Sequence, residues 1–206
     1  MKLYDAPIAP NPRRVRWFMA EKNIGDIEIV SLNLGQGEHK QPDYLAKAGL
    51  ANVPALELDD GTTITESLAI CRYLESRYPQ PNMFGATPEE TAVIEMWTRR
   101  AELLVAHPFM LGVRHTHPAL AALEANQNPA VGDYNKDQGL AALKVLNRRL
   151  AETEWLAGDR LTIADIVAFI GMDFTRLIRL EIPEGLTHLH RWAEAMRSRD
   201  AAKVAR

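Results

Sequence analysis

The sequence predicts two domains, a small α/β domain followed by an all-helical one. Three observations carry this. Roughly the first eighty residues alternate β-patterned runs with amphipathic ones, in the order strand–helix–strand–helix–strand–strand–helix. In that half a Val-Pro pair, Val53-Pro54, opens a β-hairpin. After Pro79-Gln80-Pro81-Asn82 the β pattern stops and only helical periodicity remains. The expected domains are therefore residues 1–79 and 88–206, joined by a linker over residues 80–87.

Each element has a local cause. Lys2-Leu3-Tyr4 reads as a strand, closed by Asp5-Ala6-Pro7. Pro7, Pro10 and Pro12 impose an irregular loop, and Asn11 before Pro12 reads as an N-cap followed by the first helical residue. Val15, Phe18 and Met19 continue at helical spacing to about Asn23, where Gly25 stops the helix. Ile27 to Leu32 is a second strand, and Gln41-Pro42-Asp43-Tyr44-Leu45 starts a short helix. Ala55 to Leu58 and Thr62 to Thr65 form a hairpin around Asp59-Asp60-Gly61, where Gly accepts positive φ and Asp tolerates it. A helix follows from Glu66 to Tyr78. This order, with a proline before the third strand, is the thioredoxin-like plan. No Cys-x-x-Cys stands at the first helix, so dithiol redox chemistry by the chain's own cysteines is excluded.

In the second half, Thr87-Pro88-Glu89-Glu90 is an N-cap with acidic residues in the first turn. A long helix is expected from Pro88 towards Thr116, bent at Pro108. Asn126 to Asp133 reads as loop, and Leu140, Leu143, Leu146 and Leu150 form an apolar stripe. Thr162 and Asp165 make a capping-box-like pair. Behind it Ile163, Ile166, Val167, Ile170, Phe174, Leu177 and Ile178 follow the helical period closely enough for this helix to be the core of its domain.

Composition narrows the function classes. The chain has 206 residues, 47% of them apolar and 25% charged, as in an ordinary globular protein. A net charge of −3 gives no electrostatic case for nucleic acid or an acidic membrane. One cysteine rules out an internal disulfide framework and fits a reducing, cytoplasmic location. No apolar run approaches a membrane span, and the N-terminus lacks a signal-peptide pattern.

Two features give the hairpin a chemical reading. X-Pro is the one peptide bond that goes cis cheaply, and a cis bond at Pro54 would turn the backbone of Val53 outward, towards an extended peptide. Glu66-Ser67 stands at a helix N-terminus, where orphan N–H groups and the dipole favour an anion. Together they offer a backbone clamp for a small peptide with a carboxylate socket beside it. An ordinary hairpin leading to a Ser-capped helix would look the same in sequence.

Asn52-Val53-Pro54, Glu66-Ser67-Leu68-Ala69-Ile70 and the Thr162/Asp165 pair after Ala157-Gly158-Asp159 resemble the glutathione transferase family over nearly the whole chain, roughly Lys2 to Val204. Asn33 to Lys40 resembles the glycine-carboxylate end of the site in theta-like and bacterial branches. The first loop, Asp5-Ala6-Pro7-Ile8-Ala9-Pro10 before an arginine-bearing helix, resembles fungal and bacterial members. The resemblance implies glutathione as co-substrate, no metal, and a homodimer acting on small molecules. It further implies that Val53 pairs by backbone with the cysteinyl unit and that Pro54 holds the cis bond. Glu66 and Ser67 would take the γ-glutamyl end, Ser67 its carboxylate and Glu66 its ammonium. His39 and Lys40 would meet the glycyl carboxylate, unless they form a solvated loop.

The family's usual thiol-activating Tyr, Ser or Cys is missing. The Ser position holds Ala9 and the Cys position Pro10, while Tyr4 lies inside the first strand and reads as packing. A free thiol has a pKa of about 8.5, so a useful thiolate at pH 7 needs roughly 2.7 kcal/mol of stabilisation. Asn11 is the catalytic candidate: its side-chain amide can stabilise a thiolate without taking the proton. A plain N-cap is the alternative, and the helix-end dipole, Arg13, Arg14 or a held water are further contributors. An electrophile pocket is expected between this loop and the long helix, lined by Phe109, Met110, Val113 and Arg114, although an apolar stripe is more often core. His107, His115 and His117 lack a carboxylate or Cys to complete a metal set, and Cys71 reads as inert core.

The expected activity is conjugation of glutathione thiolate to small apolar electrophiles. Glutathione-dependent disulfide or peroxide reduction is the second enzymatic reading. A non-catalytic glutathione-binding module is the third.

Overall fold

The computed structural model describes residues 1–205. The first half runs β1 (Lys2–Asp5), α1 (Pro10–Glu21), β2 (Glu28–Ser31), α2 (Pro42–Ala48), β3 (Ala55–Glu57), β4 (Thr63–Thr65) and α3 (Ser67–Arg77). The second half holds α4 (Pro88–Arg100), a π-helical turn over Ala101–Ala106, α5 (His107–Thr116), α6 (Pro129–Glu152), α7 (Ile163–Phe174) and α8 (Thr187–Ser198). A short α9 (Asp200–Val204) follows.

The chain divides into two compact units. One holds Met1–Asn82 and the segment from Asp200 onward, the other Met83–Arg199. The division lies between Asn82 and Met83. The terminal segment, expected in the helical domain, groups with the α/β unit because α9 packs on α1. Arg16 of α1 also donates to the Ala205 carbonyl at 3.2 Å.

In the α/β unit the strands lie in the order β2-β1-β3-β4. β1 runs parallel to β2 and antiparallel to β3, and β3 pairs antiparallel with β4. Leu3 stands opposite Leu56 across β1 and β3, and both are fully buried. Val15, Phe18, Ile70, Cys71 and Leu74 from α1 and α3 are buried with them. On the neighbouring strand position the Tyr4 ring meets Tyr44 edge-on at 5.6 Å, and its hydroxyl donates to Glu57 Oε2 at 2.6 Å. That bond, more than burial, holds the Tyr4 hydroxyl above its usual pKa.

Helix α1 begins at Pro10, two residues before the expected Pro12. First-turn residues need no N–H for the helix, so a second proline is tolerated there. Ala9, extended at φ −80° and ψ 136°, is the N-cap.

The helical unit is built around α7, in which every residue from Ile163 to Asp173 is buried. A Cβ on Gly171 would fall 2.5 Å from Ala106 Cα, so glycine lets α7 approach the π-helical turn. That turn replaces the simple bend expected at Pro108. Proline has no N–H for the Leu104 carbonyl and its ring crowds that carbonyl, and the preceding turn widens. The His107 N–H accordingly donates to Glu102, five residues back. Residues 129–133, expected as loop, are the first turn of α6. Asn128 caps it, accepting from the Ala130 N–H at 3.0 Å, with Pro129 in the first turn.

Asp165 anchors this unit. Its Oδ2 accepts from the backbone N–H and the hydroxyl of Thr162, both at 3.0 Å. Its Oδ1 accepts from the Leu156 N–H and from Trp192 Nε1 of α8, both at 2.9 Å. Burial pushes the carboxyl above its ordinary pKa while all four donors favour the ionised form. Asp165→Ala would leave those donors without their acceptor, and we expect it to cost roughly 3 kcal/mol or more. Denaturant titration should show a lower midpoint with an unchanged slope.

Candidate active site

In the α/β unit Ala55, which follows Pro54, pairs with Thr65, which precedes Glu66. The Val53-Pro54 bond is cis. Pro54 is buried, and Val53 packs half-buried against Tyr44, Ala48 and Ala55. The Tyr44 hydroxyl donates to the Asn52 carbonyl and fixes the backbone just before Val53.

The β4–α3 junction is the most constrained backbone in this region. Glu66 adopts φ +68° and ψ 117°, a conformation that an L-residue holds at a cost of about 1–3 kcal/mol. The chain therefore reverses at Glu66, and α3 begins at Ser67. Glu66 is the N-cap but makes no side-chain cap bond. Ser67 is the first helical residue and is buried. The reading of Ser67 as a plain cap does not hold, because a residue inside the first turn cannot cap that turn. Its Oγ instead accepts from Arg14 Nη1 at 3.4 Å. Arg14 projects from α1 and is 2% exposed.

Asn11 is not a cap either, since Ala9 holds that position and Asn11 is the second residue of α1. Among the first three helical residues, Pro10, Asn11 and Pro12, only Asn11 carries an N–H. The end of this helix thus offers one backbone donor before Arg13, whose N–H closes on the Ala9 carbonyl at 3.2 Å. The Asn11 side-chain Oδ1 is enclosed and has no hydrogen-bond partner among the described residues. Arg16 braces the preceding loop: it pairs with Asp5 and donates to the Pro7 carbonyl at 2.7 Å.

His39 and Lys40 part company. Asn33 Oδ1 accepts from the Gln36 N–H at 3.2 Å, and Glu38 Oε2 accepts from the Asn33 N–H at 2.6 Å. Gly37, at φ +72°, supplies the left-handed turn between them. The closed loop buries His39 and leaves Lys40 exposed. The Nδ1 of His39 is enclosed without a partner among the described residues. Burial first, and then the Lys40 charge, lower its pKa below the ordinary value.

The four residues expected at an electrophile pocket divide as well. Phe109 and Val113 are fully buried inside the helical unit. A Cβ on Gly139 would fall 2.4 Å from the Phe109 ring, so that ring lies directly against α6. Met110 is half-buried and Arg114 exposed. His115 and His117 serve local backbone, their Nδ1 atoms accepting from the Asn128 and Ala119 N–H groups, each at 3.2 Å. No group of three or more His, Cys, Asp or Glu among the described residues is arranged to hold a metal. Cys71 is fully buried, and burial raises its thiol pKa far above the ordinary value.

Sequence comparison bears on the same regions. Residues 3–82 match the glutathione S-transferase N-terminal domain, and residues 104–200 match the glutathione S-transferase C-terminal domain. The chain belongs to the glutathione S-transferase family. It is 38% identical over 205 residues to glutathione S-transferase 2 of Saccharomyces cerevisiae, covering 98% of this chain and 88% of that protein. The solved structure of Gtt2 from Saccharomyces cerevisiae superposes with a TM-score of 0.94 at 38% identity, covering 100% of both chains. A glutathione S-transferase domain-containing protein of Marinobacter aquaeolei superposes with a TM-score of 0.93 at 40% identity, over 98% of this chain and 99% of the other. This transferase therefore has a thioredoxin-like first domain and a helical second one, and its activity is glutathione transfer. No helix among the described residues is long and apolar enough to cross a membrane.

Sequence reading missed the partnership of Arg14 with Ser67. Its one available signal was Arg14 standing beside Val15 on the apolar side of α1, where a charged residue needs a buried acceptor.

Because folding lowers the His39 pKa, the unfolded chain takes up a proton near pH 6.5 that the folded chain resists. His39 therefore withdraws stability as pH falls through that value. Melting temperatures from about pH 7.5 down to pH 5.5 should fall more steeply for the wild type than for His39→Gln.

Proposed function

We infer that this transferase binds glutathione along the Val53 edge and conjugates its thiolate to small apolar electrophiles. The carrying observation is the start of α3: an uncapped helix N-terminus with a buried Ser67 in its first turn. Such an end supplies N–H donors and a positive dipole to an anion. The γ-glutamyl carboxylate is that anion, with the Ser67 hydroxyl as a further donor. Glu66, exposed beside it, takes the ammonium. Val53 pairs with the cysteinyl backbone. His39, whose Nδ1 has no partner among the described residues, and the exposed Lys40 receive the glycyl carboxylate.

Thiol activation falls to the start of α1. Asn11 contributes its backbone N–H and its side-chain NH2, neither of which can remove a proton. Their role is to favour the thiolate once the proton has left to solvent. The sulfur then attacks the electrophilic carbon, a C–S bond forms, and the leaving group departs with its electron pair. Met110, half-buried, and Arg114, exposed, are the electrophile candidates that the helical unit leaves accessible. Glutathione-dependent disulfide or peroxide reduction would draw on the same thiolate, because Cys71 is buried and the chain has no other cysteine. Rates towards an aryl halide and a mixed disulfide, measured side by side, separate the two activities from a non-catalytic module.

The working form is a homodimer with a detoxifying role in the cytoplasm, where a single free cysteine is at ease. Val93, Met96, Leu103 and Leu104 are large apolar side chains left exposed on α4 and the turn after it. That apolar surface is what a second copy would cover. Sedimentation equilibrium should give twice the 23.1 kDa chain mass. Leu104→Glu should shift the species towards the monomer.

Two substitutions test the site. Ser67→Ala should weaken glutathione about tenfold with little change in melting temperature. Asn11→Ala should raise the pKa of the bound thiol, followed by thiolate absorbance in the ultraviolet. Unchanged glutathione affinity in Ser67→Ala would remove the γ-glutamyl assignment. A lower melting temperature with an unmoved thiol pKa would remove Asn11 from the chemistry.

A further inference from the structure

The buried partner of Ser67 adds a residue that glutathione need not touch. Arg14 lies on α1, and its side chain is enclosed at 2% exposure. It reaches α3 at the first residue of that helix, with Nη1 3.4 Å from Ser67 Oγ. A guanidinium can only donate. Ser67 Oγ must therefore be the acceptor in that contact, and the hydroxyl proton must point elsewhere. A serine hydroxyl has one proton to give. With a lone pair held by Arg14, that proton is available to an acceptor at the helix end. The guanidinium also brings positive charge close to a helix end that already carries positive potential. Cys71, one turn further along α3, lies within the field of the same charge, which pulls its thiol pKa down against the larger effect of burial.

We propose that Arg14 is a positioning residue for the γ-glutamyl carboxylate, acting through Ser67: it fixes the hydroxyl as a donor and adds the charge that holds the anion. The proposal rests on the glutathione site inferred above. It assigns the affinity for one carboxylate to a side chain on a different helix from the one that binds it. Arg14 itself makes no contact with the tripeptide and takes no part in proton transfer.

The contrast between Arg14 as positioner and Arg14 as packing is read by a ligand cycle. Calorimetric titration is run with reduced glutathione and with γ-aminobutyryl-cysteinyl-glycine, which lacks only the γ-glutamyl carboxylate. The proteins are the full-length wild type, Arg14→Met, Arg14→Lys, Ser67→Ala and the Arg14→Lys/Ser67→Ala double variant. We expect the wild type to prefer glutathione about tenfold or more. In Arg14→Met that preference should shrink to a few-fold at most, with the binding of the truncated peptide hardly moved. Arg14→Lys should keep part of the preference, and should change it only while Ser67 is present. Equal weakening of both ligands in Arg14→Met would overturn the proposal, since a packing defect cannot single out one carboxylate. Should Arg14→Met not fold, an Arg14→Lys variant with the full wild-type preference would overturn it equally. A wild type that binds both peptides alike would instead sink the site reading, and the Arg14 proposal with it.

Discussion

The reversal of the chain at Glu66 is the constraint on which the start of α3, and with it the proposed carboxylate site, depends. The last residue of β4, Thr65, is held opposite Ala55, and the next helix begins two positions later at Ser67. The backbone makes this reversal at positive φ, and the sequence places a glutamate there. The strain is sustained because both sides are fixed, by the β3–β4 ladder and by the buried inner face of α3. One consequence is that Ser67 falls inside the first turn. Another is that the N–H groups of that turn receive no side-chain cap. A helix end left in this state within a rigid frame is preorganised for an anion, and little is lost to rearrangement when one arrives.

The start of α1 solves a related problem differently. Two prolines remove donors that a first turn would otherwise leave unsatisfied, and one remains on Asn11. Arg16 ties the loop before this turn to Asp5, to the Pro7 carbonyl and to the Ala205 carbonyl. The loop is thus braced from β1 and from the terminal segment together. Such bracing is what the proposed activation of a thiol by dipoles requires, because a dipole acts only where its orientation is held.

In the helical unit the organising group is the Asp165 carboxylate. It is enclosed by Thr162, Leu156 and Trp192, which belong to three separate stretches of chain. Its geometry ties the start of α7 to the segment before it and to α8. The apolar face of α7 supplies the burial, and Asp165 fixes where along its length that burial begins.

Sequence by itself determined the class of each half, the hairpin, the α7 capping box and the choice of Val53, Pro54, Glu66 and Ser67 as candidates for the proposed site. These are written in local patterns of period two or 3.6 and in the identities of prolines and caps, which act over a few residues. Tertiary structure decided the rest. It moved Asn11 and Ser67 from cap positions into first turns, because helix starts depend on what lies on either side. It enclosed Phe109 against α6 and sent α9 to the α/β unit, because an apolar stripe does not say which neighbour will cover it. It also joined Arg14 to Ser67 across 53 residues of sequence. A buried guanidinium takes whichever acceptor the packing of two helices brings within reach, and no spacing along the chain encodes that distance.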